Sequence, residues 1–240
     1  MSNDSFAFKQ FEVRQGRSAM KVGTDGVLLG AWFDAGVQAM RILDIGTGTG
    51  LIALMAAQRN PLARIDAVEI DPDSSADAAD NFCRSAWWER LELHACSFAE
   101  FCGRTASGIY ERIVSNPPYF VDSARAVDEG RNRARHADSL PYGELLRGVA
   151  KLLTENGRFA VVLPVETYRE FVMEAARCGL FPVRRTDVIT RKGKNPRRVL
   201  SEFAAKPERL RVETLTLIEE QSSECTATYK ELVGDFYLRM

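Results

Sequence analysis

The fold is decided by the stretch Arg41-Ile42-Leu43-Asp44-Ile45-Gly46-Thr47-Gly48-Thr49-Gly50. Its first half, Arg41–Ile45, is an apolar run that predicts a buried strand. Leu51–Arg59 follows with a helical pattern that ends at Asn60-Pro61. The glycines in between allow a tight turn and let a ligand approach the backbone closely. We expect a strand–turn–helix corner with a ligand in front of it. A glycine-rich corner without a ligand is the simpler alternative.

Strand-like and helix-like runs continue to alternate along the rest of the chain. Strand-like runs lie at 64–69, 91–95, 111–115, 158–163, 183–190 and 199–204, with a further candidate at 211–218. Helix-like runs lie at 73–85, 142–153, 165–178 and 228–238. Such alternation is typical of a mostly parallel sheet that is covered by helices on both faces. The sequence therefore predicts an α/β fold with a Rossmann-like, doubly wound, seven-stranded, mostly parallel sheet.

The length of the chain limits its domain organisation. A chain of 240 residues fits one large domain, and it contains no internal repeat or linker. We expect a single domain over residues 1–240 with its core at 41–206. Residues 1–40 are expected to pack against the sheet, and residues 207–240 to form C-terminal additions.

Composition excludes several classes of protein. Hydrophobic residues make up 45% of the chain and charged residues 27%, as in ordinary globular proteins. There is no apolar run long enough for a transmembrane helix, and the N-terminus does not look like a signal peptide. The five cysteines lack a CxxC pair, and the two histidines are too few for a histidine-rich metal centre. We expect a cytoplasmic monomer with reduced thiols and no metal.

The spacing of the glycines favours one class of ligand. They follow G-x-G-x-G, and the chain contains no G-x-G-x-x-G, the spacing typical of a dinucleotide site. Asp44 suits a cationic group, such as the ammonium of an amino acid, and would repel a pyrophosphate. We therefore predict S-adenosylmethionine (SAM) rather than NAD, with Asp44, Gly46, Gly48 and Gly50 in its site.

Glu69 ends the second strand-like run, within Ala67-Val68-Glu69-Ile70-Asp71. A carboxylate at this point of a doubly wound fold can accept hydrogen bonds from ribose hydroxyls. Asp71 is the alternative, although we expect it to cap the helix after Pro72. Glu69 is therefore the predicted ribose ligand.

Asn116-Pro117-Pro118-Tyr119 follows the fourth strand-like run and carries the predicted chemistry. The Asn116 amide oxygen and the Pro117 carbonyl are two acceptors for a planar nitrogen group, and Tyr119 offers a face on which a base can stack. The alternative is a strand followed by a Pro-Pro turn. The motif resembles the catalytic motif of amino-group N-methyltransferases, which act on adenine or guanine nitrogens or on glutamine amides.

The resemblance extends over nearly the whole chain. Residues 20–206 resemble the class I SAM-dependent methyltransferases. A narrower resemblance, to the bacterial tRNA(Val) (adenine-37-N6)-methyltransferase family, rests on Phe8-Lys9-Gln10-Phe11, Lys21-Val22-Gly23-Thr24-Asp25-Gly26-Val27-Leu28-Leu29-Gly30-Ala31-Trp32, Arg197-Arg198-Val199-Leu200 and Asp235-Phe236-Tyr237-Leu238. It implies an enzyme that methylates N6 of adenine 37 in the tRNA(Val) anticodon loop. A protein glutamine N5-methyltransferase and an rRNA or DNA amino-group methyltransferase are the alternatives.

The resemblance also implies further cofactor contacts. Thr24 and Asp25 would lie near the methionine end of SAM, or would cap a helix that begins at Gly26. Ser97 stands where related enzymes usually carry an Asp that accepts from the adenine amino group. Its hydroxyl can still serve there, with Phe98 beside the ring or in the core.

A basic segment supplies the candidate contacts with tRNA. The chain has a net charge of −1, but residues 179–211 contain ten basic and three acidic residues, a net charge of +7. Such a segment can hold phosphates, or it is a solvated face without a partner. The predicted substrate contacts are Tyr119, Arg191, Lys192, Lys194, Arg197 and Arg198. His136 is either a substrate contact or a surface residue.

Overall fold

A sheet of eight strands forms the centre of the computed structural model, which describes residues 4–38, 40–117 and 140–239. Two short strands, β1 (Ser5–Ala7) and β2 (Glu12–Arg14), pair with each other outside this sheet. The strands of the sheet are β3 (Arg41–Ile45), β4 (Arg64–Glu69), β5 (Leu91–Ala95), β6 (Tyr110–Ser115), β7 (Leu153–Pro164), β8 (Phe181–Arg191), β9 (Arg198–Ala204) and β10 (Arg211–Ile218). The described helices are α1 (Thr24–Trp32), α2 (Leu51–Arg59), α3 (Pro72–Arg84), α4 (Phe98–Arg104), α5 (Tyr142–Leu152), α6 (Val165–Arg177) and α7 (Ala227–Val233).

The strand order is β10-β8-β9-β7-β6-β3-β4-β5. Within the described part of this sheet, only β9 runs antiparallel to its neighbours, so the predicted doubly wound, mostly parallel class is confirmed. The predicted number of seven strands is wrong, because β10 pairs in parallel with β8 and adds an eighth. The first half of β10 is exposed and only Leu215 and Leu217 are buried, which is why its apolar pattern was weak.

The order of the strands reverses at β3. The chain passes from β3 to β4 and β5 on one side and then crosses to β6 and β7 on the other. In register, Ile45 at the end of β3 lies between Val68 of β4 and Ser115 of β6. In open α/β sheets, ligands bind in the crevice at such a reversal, outside the carboxyl ends of the strands.

Two apolar clusters cover the two faces of the sheet. One includes buried residues of α1, α2 and α7, among them Leu29, Leu54 and Val233. The other includes buried residues of α4, α5 and α6, such as Phe101 and Phe171. None of the helices in the described residues is long and apolar enough to cross a membrane.

Buried polar groups of α3 hold the N-terminal segment in place. The carboxylate of Asp77, which is 3% exposed, accepts hydrogen bonds from the backbone N–H groups of Arg17 and Ser18. Asn81 accepts from the backbone N–H of Arg14 and donates to its carbonyl. These bonds bring the following residues, Ala19 and Met20, to the carboxyl edge of the sheet, where they line a pocket.

Gly50 is the position in the first turn where a side chain meets the most resistance. Its φ is +84°, and a Cβ placed on it would lie 2.5 Å from Cε1 of the buried Phe82 ring. Gly179 has a similar φ of +76°, but a Cβ there would have no neighbour within 4 Å.

We predict that Gly50→Ala lowers the free energy of unfolding by more than Gly179→Ala does. Both substitutions carry the backbone cost of a left-handed Ala, but only the first also overpacks the core, which adds about 1–3 kcal/mol. Urea unfolding of both variants measures the difference. Equal losses in the two variants would show that the ring of Phe82 moves aside without cost.

Candidate active site

A pocket of about 420 Å³ lies at the carboxyl ends of β3, β4, β5 and β6. Its walls come from six segments: Ala19 and Met20 of the N-terminal segment, the β3–α2 turn, the end of β4 and the residues after it, the start of α4, the end of β6 and the residues after it, and Leu140, Pro141 and Glu144 around the start of α5. Its volume is that of a typical small-molecule site. The pocket occupies the crevice where the strand order reverses.

The glycine turn faces this pocket. Gly46 and Gly48 have φ values of +68° and +58°, and a Cβ on either would have no atom within 4 Å. The N–H groups of Gly46 and Thr47 donate to the Val68 carbonyl at 2.9 and 3.0 Å, which ties the turn to β4. The backbone of the turn is therefore open to a ligand on the pocket side and held by β4.

Asp44 lies beneath the turn and not on the pocket wall. Its carboxylate is fully buried, and Oδ2 accepts from the Thr47 hydroxyl at 2.6 Å and from the Ala53 N–H at 3.1 Å. Oδ1 has no hydrogen-bond partner among the described residues. Burial raises the pKa of Asp44 from its ordinary value of 3.8 to about 7, although the bonds from Thr47 and Ala53 oppose the rise.

Glu69 holds the tip of the turn from the end of β4. Its Oε2 accepts from the Gly48 N–H at 2.8 Å and its Oε1 from the Asp71 N–H at 2.9 Å. Each carboxylate oxygen has a second lone pair, so these bonds leave acceptor capacity on the pocket wall. Asp71 caps α3 as predicted, accepting from the Ser74 N–H at 2.8 Å.

Asn116 and Pro117 line the pocket directly after β6. The hydroxyl of Ser115 donates to the Ile45 carbonyl at 2.9 Å and fixes the end of β6 against the end of β3. The structure therefore brings Asn116 and Pro117 into one pocket with Gly46, Gly48 and Glu69. The predicted contacts Tyr119 and His136 lie outside the described residues.

Thr24 and Asp25 form the first turn of α1 but do not line the pocket. A Cβ placed on the next residue, Gly26, would lie 3.9 Å from Nδ2 of Asn116, so this end of α1 is adjacent to the pocket. The carboxylate of Asp25 accepts from Nε of Arg198 at 2.7 Å. One predicted cofactor residue is thus paired with one predicted tRNA contact.

Ser97 and Phe98 lie on the pocket wall at the start of α4, a helix that the sequence analysis missed. Ser97 caps this helix: its hydroxyl donates to Oε2 of Glu100 at 2.8 Å and accepts from the Glu100 N–H at 3.2 Å. Phe98 is 6% exposed and belongs to the core as well as to the pocket.

The basic residues of the segment 179–211 are largely engaged. Arg184 pairs with Glu213, Arg185 with Asp187 and Lys206 with Glu155. Nη1 of Arg191 donates to the carbonyls of Glu219 and Ser222, and Lys192 lies 3.9 Å from a carboxylate oxygen of Glu219. The side chains of Lys194 and Arg197 are exposed, without an ion pair among the described residues.

One group of possible metal ligands occurs in the described part of the chain. Oxygens of Asp66 and Glu92 and a ring nitrogen of His94 lie within 4.8 Å of one another. The Asp66 carboxylate already accepts hydrogen bonds from Arg41 and Tyr110 and contacts His94 at 3.0 Å. The group lies within β4 and β5, away from the pocket wall.

Comparison with known proteins identifies the family. Residues 18–177 match the family model described as Methyltransferase small domain. The chain is 47% identical over 240 residues to the tRNA1(Val) (adenine(37)-N6)-methyltransferase of Bacteroides fragilis, with all of both chains covered. The chain belongs to the tRNA1(Val) (adenine(37)-N6)-methyltransferase family. The predicted family and enzyme class are confirmed.

Solved structures confirm the methyltransferase fold. A predicted O-methyltransferase from Agrobacterium tumefaciens superposes with a TM-score of 0.67 at 18% identity, covering 88% of this chain and 96% of that one. P. horikoshii TYW2, solved in complex with MeSAdo, superposes with a TM-score of 0.58 at 12% identity, covering 83% and 69% of the two chains.

The sequence analysis of this methyltransferase missed part of the pocket wall. Met20, Pro141 and Glu144 line the pocket although no motif points to them. They come from segments that are distant in sequence and meet only in the folded chain. The sequence offered one signal for Glu144, its position in the first turn of a strongly amphipathic helix. Many acidic residues on protein surfaces occupy the same position, so this signal does not indicate a pocket.

We predict that Asp44→Asn changes the pH dependence of stability. Because the pKa of Asp44 is raised to about 7, the folded protein keeps a proton that the unfolded chain releases, and stability falls as pH rises from about 4 to about 7. The substitution removes this loss. The free energy of unfolding is compared between Asp44→Asn and wild type at each pH. Between about pH 5 and pH 8, this difference should shift by about 2–3 kcal/mol in favour of Asp44→Asn.

Urea unfolding at the two pH values measures this shift, with the exposed acid Glu89→Gln as the control. Parallel changes in wild type and Asp44→Asn would mean that Asp44 is already ionised in the folded protein at the lower pH.

Proposed function

We propose that this chain transfers the methyl group of SAM to N6 of adenine 37 in tRNA(Val). The observation that carries the proposal is the placement of Asn116 and Pro117 in one pocket with the glycine turn and Glu69. The substrate is the one in the name of the full-length relative from Bacteroides fragilis.

The residues of the pocket fit SAM. Open space in front of Gly46 and Gly48 admits a ligand against the backbone, and Glu69 has lone pairs for ribose hydroxyls. Ile70 and Phe98 offer apolar surface on the same wall. The structural neighbour P. horikoshii TYW2 was solved with MeSAdo. When bound, SAM supplies an electrophilic methyl group on a sulfonium.

Asn116 and Pro117 orient the accepting amine. The lone pair of an adenine amino group is delocalised into the ring, which makes the nitrogen a poor nucleophile. Oδ1 of Asn116 and the Pro117 carbonyl accept hydrogen bonds from its two N–H groups and favour a tetrahedral nitrogen. Tyr119, which lies outside the described residues, remains the predicted stacking partner of the base. The proton leaves after methyl transfer, so no strong base is needed. Orientation in a dry pocket can contribute several kcal/mol to lowering the barrier.

The loop between β8 and β9, residues 192–197, supplies cations on the substrate side. Strand β8 ends and β9 begins at the same edge of the sheet at which β6 ends, because Arg198 pairs with Pro164 at the end of β7. A tRNA base must leave the stack of the anticodon loop to enter a pocket of this kind. The phosphates on either side of that base then lie along this edge of the sheet. Lys194 and Arg197 are the exposed cations for them.

The whole chain works as one catalytic domain in this proposal. Phe8 forms a bridge with Tyr237, and the Lys9 N–H donates to the Phe236 carbonyl at 2.8 Å, so the two terminal segments are joined. The N-terminal segment is in turn bonded to α3, beside the pocket. Methylation of tRNA would place the protein in the cytoplasm.

We predict that wild type transfers labelled methyl groups from SAM to total tRNA and forms N6-methyladenosine. Asn116→Ala should lower this rate by more than about tenfold, or about 1.4 kcal/mol of barrier, because it removes one of the two acceptors. Nucleoside analysis of the labelled tRNA identifies the product.

Calorimetry with S-adenosylhomocysteine is the control, since Asn116→Ala should bind this ligand as wild type does. Methylguanosine, or methylated protein with unmodified tRNA, would refute the proposed substrate. Unchanged turnover in Asn116→Ala would refute the role of Asn116 alone.

We predict that Lys194→Glu with Arg197→Glu weakens tRNA binding and leaves S-adenosylhomocysteine binding unchanged. The salt dependence of tRNA affinity should become shallower by roughly 0.7 per lost phosphate contact. Arg209→Glu with Arg211→Glu is the matched control, because β10 begins at the opposite edge of the sheet. Equal effects of the two double variants would show that net charge, and not this loop, controls binding.

A further inference from the structure

Glu144 places on the wall of the pocket a carboxylate that no described residue hydrogen-bonds. It lies in the first turn of α5 and is partly exposed. Its side chain has no hydrogen bond or ion pair among the described residues. The chemistry proposed above for Asn116 and Pro117 does not use it.

The other two carboxylates on the wall each accept hydrogen bonds from backbone N–H groups. Glu69 accepts from the N–H groups of Gly48 and Asp71, and Asp71 accepts from the N–H of Ser74. Both lie at the carboxyl end of β4, in the part of the pocket that suits a ribose. Glu144 approaches from a different direction, since it belongs to α5.

The packing of α5 places Glu144 near the start of α4. Gly148 lies one helical turn after Glu144 on the same face of α5, and a Cβ on Gly148 would lie 2.3 Å from Cε1 of Phe98. Helical side chains point back toward the N-terminus, which directs Glu144 toward the pocket end of Phe98. Burial raises the pKa of Cys102 on α4 to about 11; the positive charge of Lys151 opposes the rise and the negative charge of Glu144 adds to it.

Ser97 is poorly placed to accept a hydrogen bond from a ligand. Its hydroxyl hydrogen points to Oε2 of Glu100, and its oxygen accepts from the Glu100 N–H. The Ser97 N–H also donates to Glu100 at 3.0 Å. At this end of the pocket, the capping box engages the hydroxyl hydrogen and the N–H of Ser97, whereas no described residue hydrogen-bonds the Glu144 carboxylate.

We propose that Glu144 is the residue that selects the adenine base of the cofactor, by accepting a hydrogen bond from its 6-amino group. The inference rests on the proposed function, because it assumes SAM in this pocket with the ribose at Glu69 and the base beside Phe98. The carboxylate attracts an amino group at the 6 position and repels an oxygen there. If Glu144 only stabilised the N-terminus of α5 through the helix dipole, it would give no preference between an amino group and an oxygen at the 6 position.

The test compares S-adenosylhomocysteine with S-inosylhomocysteine, in which an oxygen replaces the amino group, by calorimetry. Wild type should prefer the adenine ligand by about 10- to 100-fold, the range expected for one hydrogen bond to a charged group. Glu144→Gln should reduce this ratio to about threefold or less, because an amide can donate to the oxygen or accept from the amino group. Glu166→Gln, which removes the first-turn acid of α6, should keep the wild-type ratio.

The outcomes separate this inference from the proposed function. If wild type binds the adenine ligand and Glu144→Gln keeps the full preference, the role of Glu144 is overturned and the cofactor proposal stands. If wild type binds neither ligand, both are overturned. An equal loss of preference in Glu166→Gln would assign the effect to helix-end charge and overturn the inference. Thermal unfolding of both Gln variants verifies that they are folded.

Discussion

The buried carboxylate of Asp44 is the interaction on which the rest of the site depends. It joins the end of β3 to the first turn of α2 by accepting from Thr47 and from the Ala53 N–H. A buried carboxylate with one unpartnered oxygen is costly, and its raised pKa expresses that cost. The glycine turn folds over this carboxylate, so a destabilising buried charge lies directly next to the pocket.

The strand order converts this local turn into a site. Because β6 lies beside β3, the residues that follow both strands open into the same crevice. The hydrogen bond from the Ser115 hydroxyl to the Ile45 carbonyl fixes the position of the end of β6 relative to the end of β3. The glycine turn and Asn116, which are about 70 residues apart in sequence, are thereby set next to each other on the wall of one pocket.

Electrostatics on the substrate side differ from what a charge count suggests. The segment 179–211 has a net charge of +7 in sequence, but the fold brings carboxylates from other segments to four of its ten basic residues. Arg198 is paired with Asp25 beside the pocket, which connects the substrate edge to the start of α1. Two of the exposed basic residues without an ion pair among the described residues, Lys194 and Arg197, lie in the loop between β8 and β9.

The sequence by itself determined the fold class, the glycine turn, the ends of β4 and β6 and the family, because these depend on short-range patterns: apolar runs, glycines at strand ends, and Asn116-Pro117 directly after a strand. It indicated the eighth strand only as a candidate at 211–218, because the exposed first half of that strand carries no apolar signal. It also did not reveal that Ser97 is engaged by Glu100, that Arg198 pairs with Asp25, or that Glu144 reaches the pocket. These contacts join surfaces of different elements, and only tertiary packing decides which polar groups meet and which remain available to a ligand.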